Sequence, residues 1–240
     1  MSNKLKKKSK KKVANNQNKN QTLMSILCAS IVIMILAFGI SAITGEKETT
    51  GTSNTTNTEI VLGTEAEIEA PLTNISHYAD IEIVNYGTIT VALDDKTAPE
   101  TVANFVKLAK EGFYDGLTFH RIMEGFMMQG GDPKGNGTGG SSQTIKGEFS
   151  VNGFENNLSH VRGAISMARS KAYDSASSQF FIVHEDSEFL DGSYAVFGYV
   201  VKGINVVDAV CSYAKPTDAN GTIPAANQPV IKSITIREAE

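Results

Sequence analysis

Hydrophobic and polar positions divide the chain into three textures. Leu23 to Ile43 is a run of 21 residues without a charge, and a helix of that length at 1.5 Å per residue spans roughly 30 Å, the hydrocarbon thickness of a bilayer. It predicts a single transmembrane helix. Residues 44–76 are rich in Thr, Asn, Glu and Gly, which bury too little apolar surface to offset the entropy of ordering. They predict a tether, with an r.m.s. reach of order 30 Å. Residues 77–240 carry the short alternating runs of a globular domain.

Within that domain Ile81–Val84 and Thr88–Leu93 read as two strands joined near Asn85-Tyr86-Gly87. A helix follows. Pro99 suits its first turn, Val102, Phe105, Val106 and Ala109 recur at spacings of three and four, and Gly112 stands where a C-cap belongs. Thr118–Ile122 and Phe126–Gln129 read as a hairpin turning at Glu124-Gly125. Ala164–Met167, Gln179–Val183, Ala195–Val201 and Val230–Ile236 are further strands, and Ile204–Cys211 is a second, shorter helix. Seven or eight short strands with two helices predict a mainly β fold, a closed antiparallel barrel with helices over its ends.

Charge sharpens the division. Met1 to Thr22 holds eight lysines and no acid, so the other 14 basic residues face all 26 acidic ones. An acidic domain argues against nucleic-acid binding, which needs clustered Lys and Arg. Seven of those lysines precede the apolar run between Lys4 and Lys12, so the positive-inside rule keeps the N-terminus cytoplasmic and sends the domain across the membrane. An uncleaved anchor is expected, because the run exceeds a signal h-region; secretion after cleavage near Gly39-Ile40-Ser41 is the alternative. Cys28 and Cys211 are too far apart in kind and position to predict a disulfide. Beyond the apolar run, five Asn-x-Ser/Thr triplets, at Asn54, Asn74, Asn136, Asn157 and Asn220, matter only in a host that glycosylates exported chains.

The hairpin carries the candidate chemistry. Strict alternation places Phe119 and Arg121 on one face and His120 and Ile122 on the other, with Phe126 and Met128 opposing Met127 and Gln129 on the return arm. An arginine among such apolar groups is either a snorkelling surface residue or a donor held over a pocket. The segment Gly135–Gly140 fits G-x-G-x-x-G, but no helical period follows and no βαβ unit surrounds it, so a mobile loop is expected there instead of a dinucleotide site. The four histidines show no metal-ligand spacing, and neither a metal nor a cofactor is predicted. No serine stands in G-x-S-x-G, which leaves a Ser-His-Asp hydrolase or one using His120 without support.

Phe119-His-Arg-Ile122, Phe126-Met-Met-Gln-Gly-Gly-Asp132, the Gly135–Gly140 loop, Ser166-Met-Ala-Arg169, Ser178-Gln-Phe-Phe-Ile182 and Leu190-Asp-Gly with Val196-Phe-Gly198 together resemble the cyclophilins, in order and in spacing. The resemblance covers residues 78 to 240, not the anchor or the tether, and implies a bacterial-type peptidyl-prolyl cis-trans isomerase on an eight-stranded barrel. It implies that Arg121 is catalytic with Gln129 beside it, and that Phe126, Met127, Phe181 and Leu190 wall a proline pocket. His120 would line the site, and Ala168 and Arg169 the groove for the substrate backbone. Phe189 stands where many eukaryotic members have Trp, Tyr194 where they have His, and Arg169 where Asn is usual. Because the family's Trp donates to cyclosporin, Phe189 implies weak binding of that drug. The implied partners are proline-containing polypeptides, met by a monomeric domain that assists the folding of exported proteins. A tethered module that holds such segments with little catalysis is the competing reading.

Overall fold

The computed structural model describes residues 71–239. The lysine-rich segment, the apolar run and the tether as far as residue 70 lie outside them. Among the described residues no helix is long and apolar enough to cross a membrane. Residues expected at the end of the tether are already bonded to the domain: Ser76 N–H donates to Leu93 O at 2.9 Å and Asn74 Nδ2 to Asp94 Oδ1 at 3.1 Å.

Eight strands and two helices follow in the predicted order. They are β1 (His77–Ile83), β2 (Gly87–Leu93), α1 (Pro99–Lys110), β3 (Thr118–Met123), β4 (Met127–Asp132), β5 (Ala164–Met167), β6 (Phe180–Val183), β7 (Val196–Lys202), α2 (Ile204–Tyr213) and β8 (Ile231–Glu238). The eight strands form one antiparallel sheet of order β3-β4-β6-β5-β7-β2-β1-β8. The closed barrel expected from sequence is corrected here. Strands β3 and β8 remain edges, and what spans them is an isolated bridge, Thr118 with Val230, and loop bonds such as Phe119 N–H to Pro229 O at 2.9 Å. Pro229 and Pro224 precede β8, and a proline lacks the N–H that a continuous ladder would need there.

Helix α1 begins as its sequence dictates, with proline in the first turn and no side-chain cap of its own. Instead the buried carboxyl of Glu148 accepts from Glu100 N–H at 2.9 Å and Thr101 N–H at 2.8 Å. Two of the donors that every helix start leaves unpaired are thereby satisfied. Its inner face drives Phe105 into a cluster of rings from Tyr114, Phe180 and Phe197, with centroids 5.2–5.5 Å away.

The sheet is apolar on both faces. Successive residues of β6 alternate between two clusters: Phe180 and Ile182 join the main core, and Phe181 and Val183 a second, smaller one with Met127, Val196 and Tyr199. A strand buried on both sides reads as a continuous apolar run, which is why Phe-Phe-Ile-Val shows no period. The second cluster supports the functional site.

Candidate active site

The hairpin β3–β4 departs from strict alternation in two places, and both departures build the site. Phe119 pairs with Gly130 but Arg121 with Gln129, so His120 is an extra residue in β3, a bulge. Phe119 and Ile122 consequently both face the main core, whereas alternation had placed Phe119 beside Arg121. Beyond the bulge the register is regular: Arg121 and Met123 lie over Gln129 and Met127, and Ile122 over the core-facing Met128. The stretch between the strands is shifted by one residue, to Glu124–Phe126, so Phe126 lies before β4 and is not bound to oppose Met127. Both line the same cavity.

That cavity measures about 190 Å³ and is walled by Phe126, Met127, Phe181, Leu190 and Tyr194, with Ala168 and the polar groups of Arg121, Gln129 and Arg169 around it. Sites for drug-sized ligands span about 300–1,000 Å³, so this one suits a single small ring. Nine of the eleven predicted site residues meet here. Phe189 stands at the rim, two-thirds exposed (66%), its ring 5.6 Å from that of Phe126. His120 does not line the cavity: the bulge buries it at 5% exposure, toward Gly137, and burial holds its ring below the usual imidazole range. Neither ring nitrogen finds a hydrogen-bond partner among the described residues, so nothing there orients His120 as a general base.

The guanidinium of Arg121 is fixed from several sides. Its Nε donates to Asn220 O at 2.7 Å and Nη1 to Gln129 Oε1 at 3.3 Å, Nη2 lies 3.3 Å from Met123 Sδ, and its central carbon sits 5.8 Å from the Phe126 centroid. Burial lowers its pKa from the ordinary arginine value, which still leaves a cation at neutral pH. Gln129 Nε2 in turn donates to Gln179 Oε1 at 2.9 Å, and Gln179 Nε2 to the carbonyls of Gly137 and Gly139 at 3.2 and 2.7 Å. Asp132 accepts from the backbone N–H of Lys134, Asn136 and Gly137 at 2.6–3.1 Å. The glycine-rich loop expected to be mobile is thus fastened from both sides. Gln179 stood in a motif singled out in the sequence, but nothing there marked its contact with Gln129.

Behind the cavity is an arrangement with no counterpart in sequence spacing. His160 is fully buried; its Nδ1 lies 2.7 Å from Asp191 Oδ1 and its Nε2 3.0 Å from Ser166 Oγ. A carboxylate accepts only, so Nδ1 bears the hydrogen, and burial lowers the ring's pKa, so the neutral Nε2 accepts from the Ser166 hydroxyl. This has the order of a hydrolytic triad, but Ser166 is fully buried and cannot meet a substrate. The ring instead stacks on Phe181 at 5.9 Å and 12° and meets Tyr194 edge-on at 6.4 Å, bracing the wall of the cavity. Arg169 is anchored as well: Nε and Nη2 donate to Ser193 O at 3.0 and 2.7 Å, and the guanidinium lies 4.6 Å over Tyr194 and 5.0 Å over Phe149. Among the described residues no group of three His, Cys, Asp or Glu is placed to hold a metal.

The sheet thus carries a small apolar niche with a fixed cation and an amide at its lip. Residues 78–240 match the family model described as cyclophilin type peptidyl-prolyl cis-trans isomerase/CLD. The chain belongs to this family and is a peptidyl-prolyl cis-trans isomerase. It is 53% identical over 116 residues to peptidyl-prolyl cis-trans isomerase B of Bacillus subtilis, covering 48% of this chain and 78% of that one. To an isomerase of Helicobacter pylori it is 47% identical over 135 residues, covering 55% and 79%. A solved cyclophilin-type isomerase of Cryptosporidium parvum, determined in the presence of the dipeptide Ala-Pro, superposes with a TM-score of 0.59 at 30% identity, covering 68% of this chain and 99% of that one.

Proposed function

We propose that Arg121, aided by Gln129, is the catalytic group, and that the cavity of Phe126, Met127, Phe181 and Leu190 receives the prolyl ring. An X-Pro bond resists rotation by about 18–20 kcal/mol because the nitrogen lone pair is delocalised into the carbonyl. As the bond twists, that pair returns to the nitrogen and becomes a hydrogen-bond acceptor. A cation held beside the ring stabilises the twisted state more than either planar one. The observation that carries the reading is the placement of Arg121, 5.8 Å from the Phe126 centroid and tied to Gln129. One charge-assisted hydrogen bond contributes about 1.5–3 kcal/mol, whereas millisecond turnover needs about four decades, or ~5.5 kcal/mol. Desolvation in the niche and the second donor, Gln129, supply the remainder. Arg121→Ala is expected to lower kcat/KM on an Ala-Pro peptide by roughly 10- to 100-fold in a protease-free assay. Turnover near wild type would overturn the role of Arg121, and weak turnover in the wild type with measurable peptide affinity would favour a holding module.

Proline-containing polypeptides are the proposed substrates, and a single copy suffices because one chain lines the whole cavity. The replacements at Phe189 and Tyr194 and the bacterial relatives support a bacterial-type member, and Phe189 supports weak affinity for cyclosporin. The lysines before the apolar run support a single-pass anchor with the domain outside the cytoplasm, assisting exported chains. Protease added to intact cells or spheroplasts then releases the domain. Its protection under that treatment would invert the topology.

A further inference from the structure

Phe126 lies in the β3–β4 turn, where no strand ladder holds it. Apart from the turn's own bond, Phe126 N–H to Met123 O at 3.0 Å, what holds it is His184, the residue after β6. Gly125 N–H donates to His184 Nδ1 at 2.9 Å, and Phe126 O accepts from His184 N–H at 2.8 Å. Two successive turn residues are therefore gripped by one residue from another strand. The ring is itself oriented: with Nδ1 accepting, the hydrogen sits on Nε2, 3.2 Å from Asp208 Oδ1 on α2. Arg162 Nη2 meets both oxygens of Asp208 at 2.7 and 2.8 Å, and its Nη1 donates to His184 O at 2.7 Å. The circuit runs from α2 through the end of β6 to the turn, with His184 buried and Arg162 and Asp208 partly exposed behind it.

We infer that His184 is a positioning residue for the isomerase reaction, whose Nδ1 keeps Phe126 against the prolyl ring and beside Arg121. This rests on the cavity being the prolyl site. Losing the Nδ1 acceptor frees Gly125 N–H but spares the backbone bond to Phe126 O, so the turn loosens without unfolding. A binding wall that is in place only part of the time weakens apparent affinity by that fraction. Phe126 touches the ring in the planar and twisted states alike, so the loss falls on KM and not on kcat.

The full-length chain carrying His184→Ala, His184→Gln or His184→Asn, with Phe126→Ala as reference, separates the outcomes. Asn places its Oδ1 where Nδ1 accepts, whereas Gln reaches only toward the Nε2 position. His184→Ala and His184→Gln are expected to raise KM about 2- to 10-fold, the equilibrium worth of one hydrogen bond, with kcat within about 2-fold. Amide exchange at Gly125, followed by NMR, accelerates in the same two variants. His184→Asn restores both readouts toward wild type. Should His184→Ala fail to fold, the contrast between Asn and Gln carries the test. If Asn behaves like Gln, or if Phe126→Ala raises KM while neither Ala nor Gln at 184 does, the positioning role is overturned. If Phe126→Ala itself leaves KM unchanged, the prolyl-site reading falls and this role with it.

Discussion

His120 and His160 occupy sites that water hardly reaches, and desolvation holds both rings below the ordinary imidazole value, against the pull of Asp132 on one and Asp191 on the other. The unfolded chain protonates near pH ~6.5, where these folded sites resist the proton. Their contribution to stability is thus complete above that value and declines as pH falls below it, by up to ~1.4 kcal/mol per pH unit for each ring. Asp191 adds a second step: burial alone would raise its pKa, but bonds from Ser159 and His160 outweigh this and lower it. Its contribution is present above about pH 3.9 and is lost as pH falls through the lower folded value. The urea midpoint is expected to drop between pH 7 and 5, and again below pH 4. A flat profile across the first interval would contradict neutral, buried rings. At this scale Arg121, Phe126 and Gln129 were named by the family resemblance that the hairpin motifs carry, whereas spacing alone left Arg121 between a surface cation and a pocket donor. The brace of Phe181 was not legible, since His160 and Asp191 stand 31 residues apart and each looks unremarkable in its own surroundings.

Helix α1 shows an element completed from elsewhere. Its Pro99 start and its apolar stripe were readable, but Glu148, which accepts its first free donors, lies 47 residues downstream of Thr101. Glu148→Ala would leave those donors unpaired in a buried place, at a cost of about 1.5–3 kcal/mol. For a domain of this size that corresponds to a fall in Tm of ~3–12 °C by calorimetry. Glu148→Gln, which keeps one acceptor oxygen, is expected to fall between Ala and wild type; a Tm unchanged in the alanine variant would remove the cap from the account. The strands were all legible as runs, because β-branched and aromatic residues bounded by glycine and polar turns leave few alternatives. The bulge at His120 was not. Alternation is counted along one strand, whereas an extra residue exists only relative to a partner, and Gly130 and Gln129 are that partner.

For the whole molecule, the sequence pattern led to an antiparallel sheet with two helices and went wrong on closure. Closure depends on whether the last edges meet, and the prolines before β8 interrupt the ladder on that side. Strand β8 nevertheless secures β1 along its length, burying Ile231 and Ile234 and setting Lys232 2.8 Å from Glu82 and Arg237 2.7 Å from Asp80. A stop codon at Ile231 is expected to abolish the native near-UV circular dichroism signal and solubility, because it strips one side of β1 and opens the core beneath it. A folded, active truncate would show that β8 is dispensable.

Chains are made from the amino end, and among the described strands the first to leave the ribosome pairs with the last. The two residues joined as Glu82 and Lys232 are born 150 positions apart. Until β8 is made, β1 has only β2 beside it, and the sheet that carries the cavity lacks one edge strand. The sheet is therefore complete only once β8 has been made, and until then it depends on whatever shields an unpaired strand from its neighbours.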